Sequence, residues 1–453
     1  MRWKRWIIPI LFLVVVLGAG LVYVLNTPRL ASGYPGADAR GVPASESLRM
    51  EFSKPIDIDS LQTHLTISPS IEGSFTAEDR QIIFTPQDGW PRGKTIRIEI
   101  SAGWVSESGL PLLAGESWTF TISNYLIAYL WPSDGPADIY ALDPETGEIL
   151  RFTQEPSGVL DFSVSVDGLS IYYTAMVDGI DSRIYRIDRG QGTTSVVLEC
   201  QGSLCRSPIP SPDGSILAYE RHSSSEIGVQ VWLIMSGDGE PYLAGQAPHQ
   251  TSSPMWSSQG LLVFYDHDEN AYIFTENGSD QTIIVHNETG EHGTWHPSGQ
   301  LFIAPEVSLV SVVDDDDESQ IRNIASSHLI EYGLYTEISN NLSQEILLED
   351  VAPQFSPSGL QIVFARKQLD VEHWSPGRQI WIMASDGGNA HPLTDSPEYQ
   401  HTEMSFSPDG SQIAYLRFNQ TTLTDPPEIW LVDVDGSDAM RLVIGGYSPQ
   451  WIP

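Results

Sequence analysis

One short turn recurs along the C-terminal part of this 453-residue chain and limits what the chain can fold into more than any other feature. Its copies read PSPDG (210–214), WSSQG (256–260), WHPSG (295–299), FSPSG (355–359) and FSPDG (406–410), with a degenerate VSVDG at 164–168. Proline fixes φ, Asp or Ser bonds the local backbone, and Gly supplies the positive φ that joins two strands tightly. The glycines fall at positions 168, 214, 260, 299, 359 and 410, so the gaps are 46, 46, 39, 60 and 51 residues. Each turn is followed by an apolar strand such as SILAYER or LQIVFAR, then by a second such as VQVWLIM or RQIWIMA, a polar turn and a last strand. That order is one four-stranded blade of a propeller, for which ~40–50 residues is the usual repeat.

Six complete turns plus a truncated copy at Trp451, Ile452 and Pro453 predict seven blades. The chain enters the repeats at LIAYLW (126–131) without a preceding turn of this kind. The C-terminal YSPQWIP is therefore expected to supply the innermost strand of the first blade, closing the ring and removing sheet edges. The aromatic-turn-strand repeat resembles the TolB-like propellers, which are related to WD-type repeats. The resemblance covers residues 124–453 and implies a binding or scaffolding fold without specifying a ligand. Six blades, the usual number in that family, is the alternative count.

Ahead of the repeats, residues 32–123 read as short alternating strands (LRMEFSKPID, HLTISP, QIIFTP, KTIRIEIS, SWTFTIS) separated by turn clusters, the pattern of a β-sandwich. EFSKPID, TISPSIEG, IIFTP and WTFTI resemble bacterial Ig-like domains, which implies a spacer or adhesive module. The expected fold class is all-β: an N-terminal transmembrane helix within residues 1–31, an Ig-like sandwich, then the propeller.

Residues 6–25 form one uncharged, largely apolar run of the length that spans a bilayer core of roughly 30 Å. Arg2, Lys4 and Arg5 precede it, which orients the N-terminus to the cytoplasm and the bulk outside. The expectation is a single-pass membrane protein with an extracytoplasmic body. A secreted form after signal cleavage at the small residues Gly18, Ala19 and Gly20 is the alternative. An exported chain sits in an oxidising compartment, and its two cysteines, Cys200 and Cys205, are expected to form a local disulfide.

Against 23 Lys and Arg stand 59 Asp and Glu, a net charge of -36, and a field of that sign repels phosphate backbones. Nucleic acid is excluded as a partner. No Gly-x-Ser-x-Gly elbow occurs, so the serine-hydrolase domain that accompanies some propellers of this type has no counterpart here. His249, His292 and His401 each precede a turn and are candidates for the mouth of a central channel. Imidazoles there would suit Mn or Zn. Their unequal offsets from the turn aromatics favour ordinary loop histidines, and neither metal nor cofactor is assigned. The acidic run DDDDE (314–318) reads as a solvated insertion, and DVDGSD (433–438) as a turn between outer strands. Trp90, Trp104, Trp131 and Trp374 would serve a carbohydrate ligand if exposed, though packing is their default role. The expected function is non-catalytic binding of a protein or envelope polymer through one propeller face. A metal-dependent glycan lyase or hydrolase acting at the channel mouth is the alternative.

Overall fold

A computed structural model describes residues 16–18, 20–179, 181–223, 228–237, 239–245, 248–276, 282–313, 321–336 and 339–453. The chain divides into two compact units, Met1–Asn124 and Tyr125–Pro453. Most of the 6–25 run lies outside the described residues, as does DDDDE. The described part of the run is helical, with Val16, Leu17, Leu21, Val22 and Leu25 exposed. Among the described residues no helix is long and apolar enough to cross a membrane.

The first unit is a sandwich of two four-stranded sheets. One is ordered Leu30–Tyr34, Leu48–Phe52, Gln81–Pro86, Gly73–Glu78; the other is Ala39–Val42, Glu116–Ile122, Thr95–Ile100, Leu65–Ser68. Strict alternation decides which side chains enter the core: along Thr95–Ile100 the three isoleucines are buried and Thr95, Arg97 and Glu99 are exposed. Trp90 and Trp104 are buried in that core, where the Trp90 indole N–H donates to the Glu46 carbonyl at 2.6 Å. Two of the four candidate tryptophans are thus packing residues, whereas Trp131 and Trp374 are exposed.

The second unit contains seven four-stranded antiparallel repeats. In chain order their innermost strands are Val159–Val164, Ser203–Pro210, Thr251–Trp256, Thr294–Trp295, Leu348–Phe355, Tyr399–Phe406 and, last, Tyr447–Ile452. The final strand pairs antiparallel with Leu126–Trp131, Trp451 lying opposite Ile127 and Ile452 opposite Leu126, so both chain ends of this unit share one sheet. Apolar clusters join each repeat to the next. Ile184, Cys205 and Leu217 bridge the sheets that begin at Val159 and Ser203, and Val363, Ile380, Met404 and Ile413 bridge those that begin at Leu348 and Tyr399. The last sheet meets the first through Ile127, Ala414, Leu431 and Trp451. The ring is therefore closed by packing as well as by hydrogen bonds.

All six turn glycines have φ between +69° and +83°, and in each turn the glycine N–H donates to the carbonyl three residues back. In PSPDG the Ser211 hydroxyl donates to Asp213 Oδ1 at 2.6 Å, and that carboxylate also accepts from the Ser215 N–H at 3.1 Å. These bonds, the Ser211 hydroxyl first, hold the Asp213 carboxyl down at about 2. Gly168 shows why the position is restricted: a Cβ there would lie 2.6 Å from the carbonyl oxygen of Pro453, the C-terminal residue. Cys200 and Cys205 form a disulfide with Cα atoms 6.1 Å apart, stapling the outermost strand Thr193–Cys200 to the innermost strand of the next sheet.

Two outcomes follow from this closure. Trp451→Ala removes a buried indole that also donates to the Ser405 carbonyl at 3.0 Å, and lowers the stability of this unit by roughly 3–5 kcal/mol, read as a shift of its urea midpoint. The paired change Cys200→Ser and Cys205→Ser opens only a very short loop and costs about 2 kcal/mol in the same measurement.

Candidate functional site

Counting seven residues back from each turn glycine gives one position in, or for His292 just ahead of, each innermost strand: Asp161, Ser207, Ser253, His292, Ala352 and Glu403, with Ser448 at the equivalent place in the truncated copy. Pairing with the neighbouring strand shifts register around this position in the strands carrying Asp161, Ser207, Ser253, Ala352, Glu403 and Ser448. Five of the residues are non-glycine yet left-handed, with φ of 51° at Ser207, 57° at Ser253, 52° at Ala352, 51° at Glu403 and 53° at Ser448. Such bulges free a backbone N–H from the ladder and turn it sideways. Three of these N–H groups find carboxylates of the preceding repeat. Asp161 accepts from the Ser207 N–H at 3.0 Å, Glu220 from the Ser253 N–H at 2.8 Å, and Glu403 from the Ser448 N–H at 2.7 Å.

Asp161, Ser207, Glu220, Ser253, His292 and Ser448 lie in the wall of a cavity of about 290 Å³, with Glu403 outside the wall but bonded to Ser448. Its lining comes from the inner parts of five different repeats, which places the cavity at the axis of the ring. The His292 imidazole is open to the water of the cavity but has protein on every side. That enclosure pushes its pKa below the ordinary value, against the opposing charge of Glu220. Enclosure likewise raises Glu403, opposed by the bonds from Ser448, and Glu291, where Arg378 opposes it and Glu349 adds to it.

The three histidines singled out in the sequence are not brought together. His292 lines the axial cavity. His249 pairs through Nδ1 with Asp266 Oδ2 at 2.7 Å, and that hydrogen bond is the main cause of its raised pKa. Among the described residues, His249, Asp266 and Asp268 are the one set of three potential metal-ligating side chains within reach of each other, and none of them lines the cavity. His401 is fully buried, its Nδ1–H donating to the Arg378 carbonyl at 2.8 Å. In DVDGSD, Asp435 accepts from the backbone N–H and hydroxyl of Ser437, as a turn residue does. The carboxylates Asp161, Glu220 and Glu403 escape a motif search because they belong to no contiguous motif. The signal that could have found two of them is the constant offset of Asp161 and Glu403 from the turn glycines.

Residues 25–122 match the family model of the bacterial Ig-like domain. A relative among curated proteins, the uncharacterized peptidase YuxL of Bacillus subtilis, is 27% identical over 104 residues. The matched stretch is 22% of this chain and only 15% of the peptidase. Among solved structures, TolB from Acinetobacter baumannii aligns over 94% of this chain and 99% of its own at 13% identity, with a TM-score of 0.44. An oligogalacturonate lyase from Vibrio parahaemolyticus aligns over 76% of this chain and 99% of its own at 12% identity, with a TM-score of 0.48. The family match places a bacterial Ig-like domain at residues 25–122, within the first unit.

Burial pushes His401 down to about 4 from an ordinary value of 6.5. The unfolded chain takes up this proton near pH 6.5 and the folded chain resists it, so stability is lost as pH falls from there to about 4 and the loss levels off below. The expected loss is about 3 kcal/mol. In His401→Gln, whose amide can still donate to the Arg378 carbonyl, this part of the pH dependence disappears. Denaturant midpoints of both proteins between pH 7 and pH 4 check it.

Proposed function

We propose that this chain is a membrane-anchored, extracytoplasmic binding protein that engages a protein or envelope polymer through the end of the propeller at which the axial cavity opens. The observation that carries the reading is the cavity itself, whose polar groups come from several repeats at one register and are held by backbone amides. Carboxylates fixed in this way are suited to recognition, since their orientation is settled before a ligand arrives. The apolar run at residues 6–25, preceded by Arg2, Lys4 and Arg5 and closely followed only by Arg29, supports anchoring with the propeller outside the cytoplasm. The disulfide agrees with an oxidising compartment. The Ig-like unit acts as the spacer.

The test is affinity capture from native envelope extracts with the full-length chain and with Ser253→Tyr, which fills the cavity with an aromatic ring. The expected result is a component retained by the wild type and lost by at least tenfold with the variant, both proteins having the same melting profile. Equal recovery with both would refute the cavity as the binding site. Turnover of oligosaccharides from a glycan panel by the purified wild type would overturn the non-catalytic reading.

A further inference from the structure

We infer that the axial cavity is a receptor for a cationic side chain, a lysine or arginine presented by an extended segment of a protein partner. The inference rests on the binding reading above and specifies the chemistry of the ligand. Its first support is the charge around the cavity. Asp161 already has a cation, Arg206, whose Nε lies 3.1 Å from Oδ2. Among the described residues Glu220, in the wall, is met only by the His222 imidazole, at 3.6 Å, and Glu403, outside the wall but bonded to its residue Ser448, pairs with no cation. Each carboxylate has one oxygen tied to a backbone N–H, which fixes the group while leaving acceptor capacity free.

The second support is His292. It lines the cavity enclosed by protein, forms no hydrogen bond among the described residues, and is held toward its neutral form, so it does not supply the missing positive charge. A neutral imidazole can instead accept a hydrogen bond from an incoming ammonium or guanidinium. Size narrows the ligand further. A cavity of about 290 Å³ lies at the bottom of the ~300–1,000 Å³ range of ligand pockets and admits one long side chain, not a folded element. Phe162, Pro208, Ile209 and Pro254 in the same wall suit the methylene stem of such a side chain. The net charge of -36 steers a basic partner toward the whole molecule.

The test uses the full-length chain in nonionic detergent and a fluorescein-labelled hexapeptide of alternating lysine and glycine, with a glutamine-for-lysine peptide as control, followed by anisotropy at 0.15 M salt. The lysine peptide is expected to bind and the glutamine peptide not to. The triple variant Asp161→Asn, Glu220→Gln, Glu403→Gln keeps oxygen acceptors for the three bulge N–H groups and should bind at least tenfold more weakly. Glu72→Gln, Glu78→Gln, Glu116→Gln makes the same change in net charge at exposed positions of the Ig-like unit and should stay within twofold of wild type. Ser207→Lys, which carries its own ammonium into the cavity, should also abolish binding. Equal weakening by the two triple variants would overturn the inference by showing only a general field. Displacement by millimolar calcium beyond that caused by sodium chloride of equal ionic strength would overturn it in favour of an inorganic cation. If the component captured by the wild type is held fully by the cavity triple variant, the cationic chemistry falls and the binding reading stands.

Discussion

Closure of the ring by Tyr447–Ile452 is the constraint on which the propeller depends. Each of the seven sheets has two apolar faces, and among the described residues each face packs against the neighbouring sheet. An open ring would expose two whole faces and the unpaired edge of Leu126–Trp131, at a cost that grows by roughly 25 cal/mol for each Å² of apolar surface left in water. The closing strand removes both problems at once: its backbone completes the first sheet, and Trp451 seals the junction between the first and last. Because the strand comes from the end of the chain, the ring forms only when the last residues find the first ones. Its contacts are therefore among the most distant in sequence that the fold contains.

Closure also explains how the chain tolerates five left-handed, non-glycine residues near its axis. Each such residue costs on the order of 1–3 kcal/mol and persists only where its surroundings over-determine it. At Ser207, Ser253 and Ser448 those surroundings include a carboxylate from the preceding repeat that accepts the turned N–H. The bulge and the carboxylate support each other across a junction between sheets. The geometry of the axial wall is thus a property of the repeat, whereas its chemistry is set by whichever side chain occupies the position, Asp in one repeat, His or Glu in others.

Much of this architecture was legible in the sequence because it is written in local signals. The turn at FSPDG needs Pro, Asp and Gly for reasons that hold in any context, so its recurrence gave the blades, and the lone YSPQWIP gave the closing strand. Alternation in TIRIEI and WTFTI gave the sandwich in the same way. The helix Ile58–His64 was missed: it is a single short element capped by the Asp57 carboxylate, and seven residues carry little periodic signal. The site was harder to see. His249, His292 and His401 stand at eleven, seven and nine residues before their glycines, even differences that would keep them on one face of a regular strand, so the bulge near the seven-residue position is what separates them. His292 has the axial register and His401 faces the packed junction. Glu220 sits on a second strand and reaches the axis only through the Ser253 bulge, a relation between repeats that no single segment encodes.

The contrast between the carboxylates of the wall and those of the sheets gives the cavity its meaning. Two acidic groups packed within the sheets have their counter-charge supplied internally. Asp350 is paired with Arg366 by two bonds of 2.7 Å, and that guanidinium lies between the rings of Phe364 and Trp381. Glu428 accepts from Arg417, Trp430 and Arg441, with Arg417 stacked between Tyr399 and Trp430. Pairing of this kind is what the desolvation cost of a buried ion demands. Glu403, which is exposed and bonds the N–H of Ser448 in the cavity wall, has no arginine partner among the described residues, so its charge is compensated by that N–H and by the water or ligand at the wall.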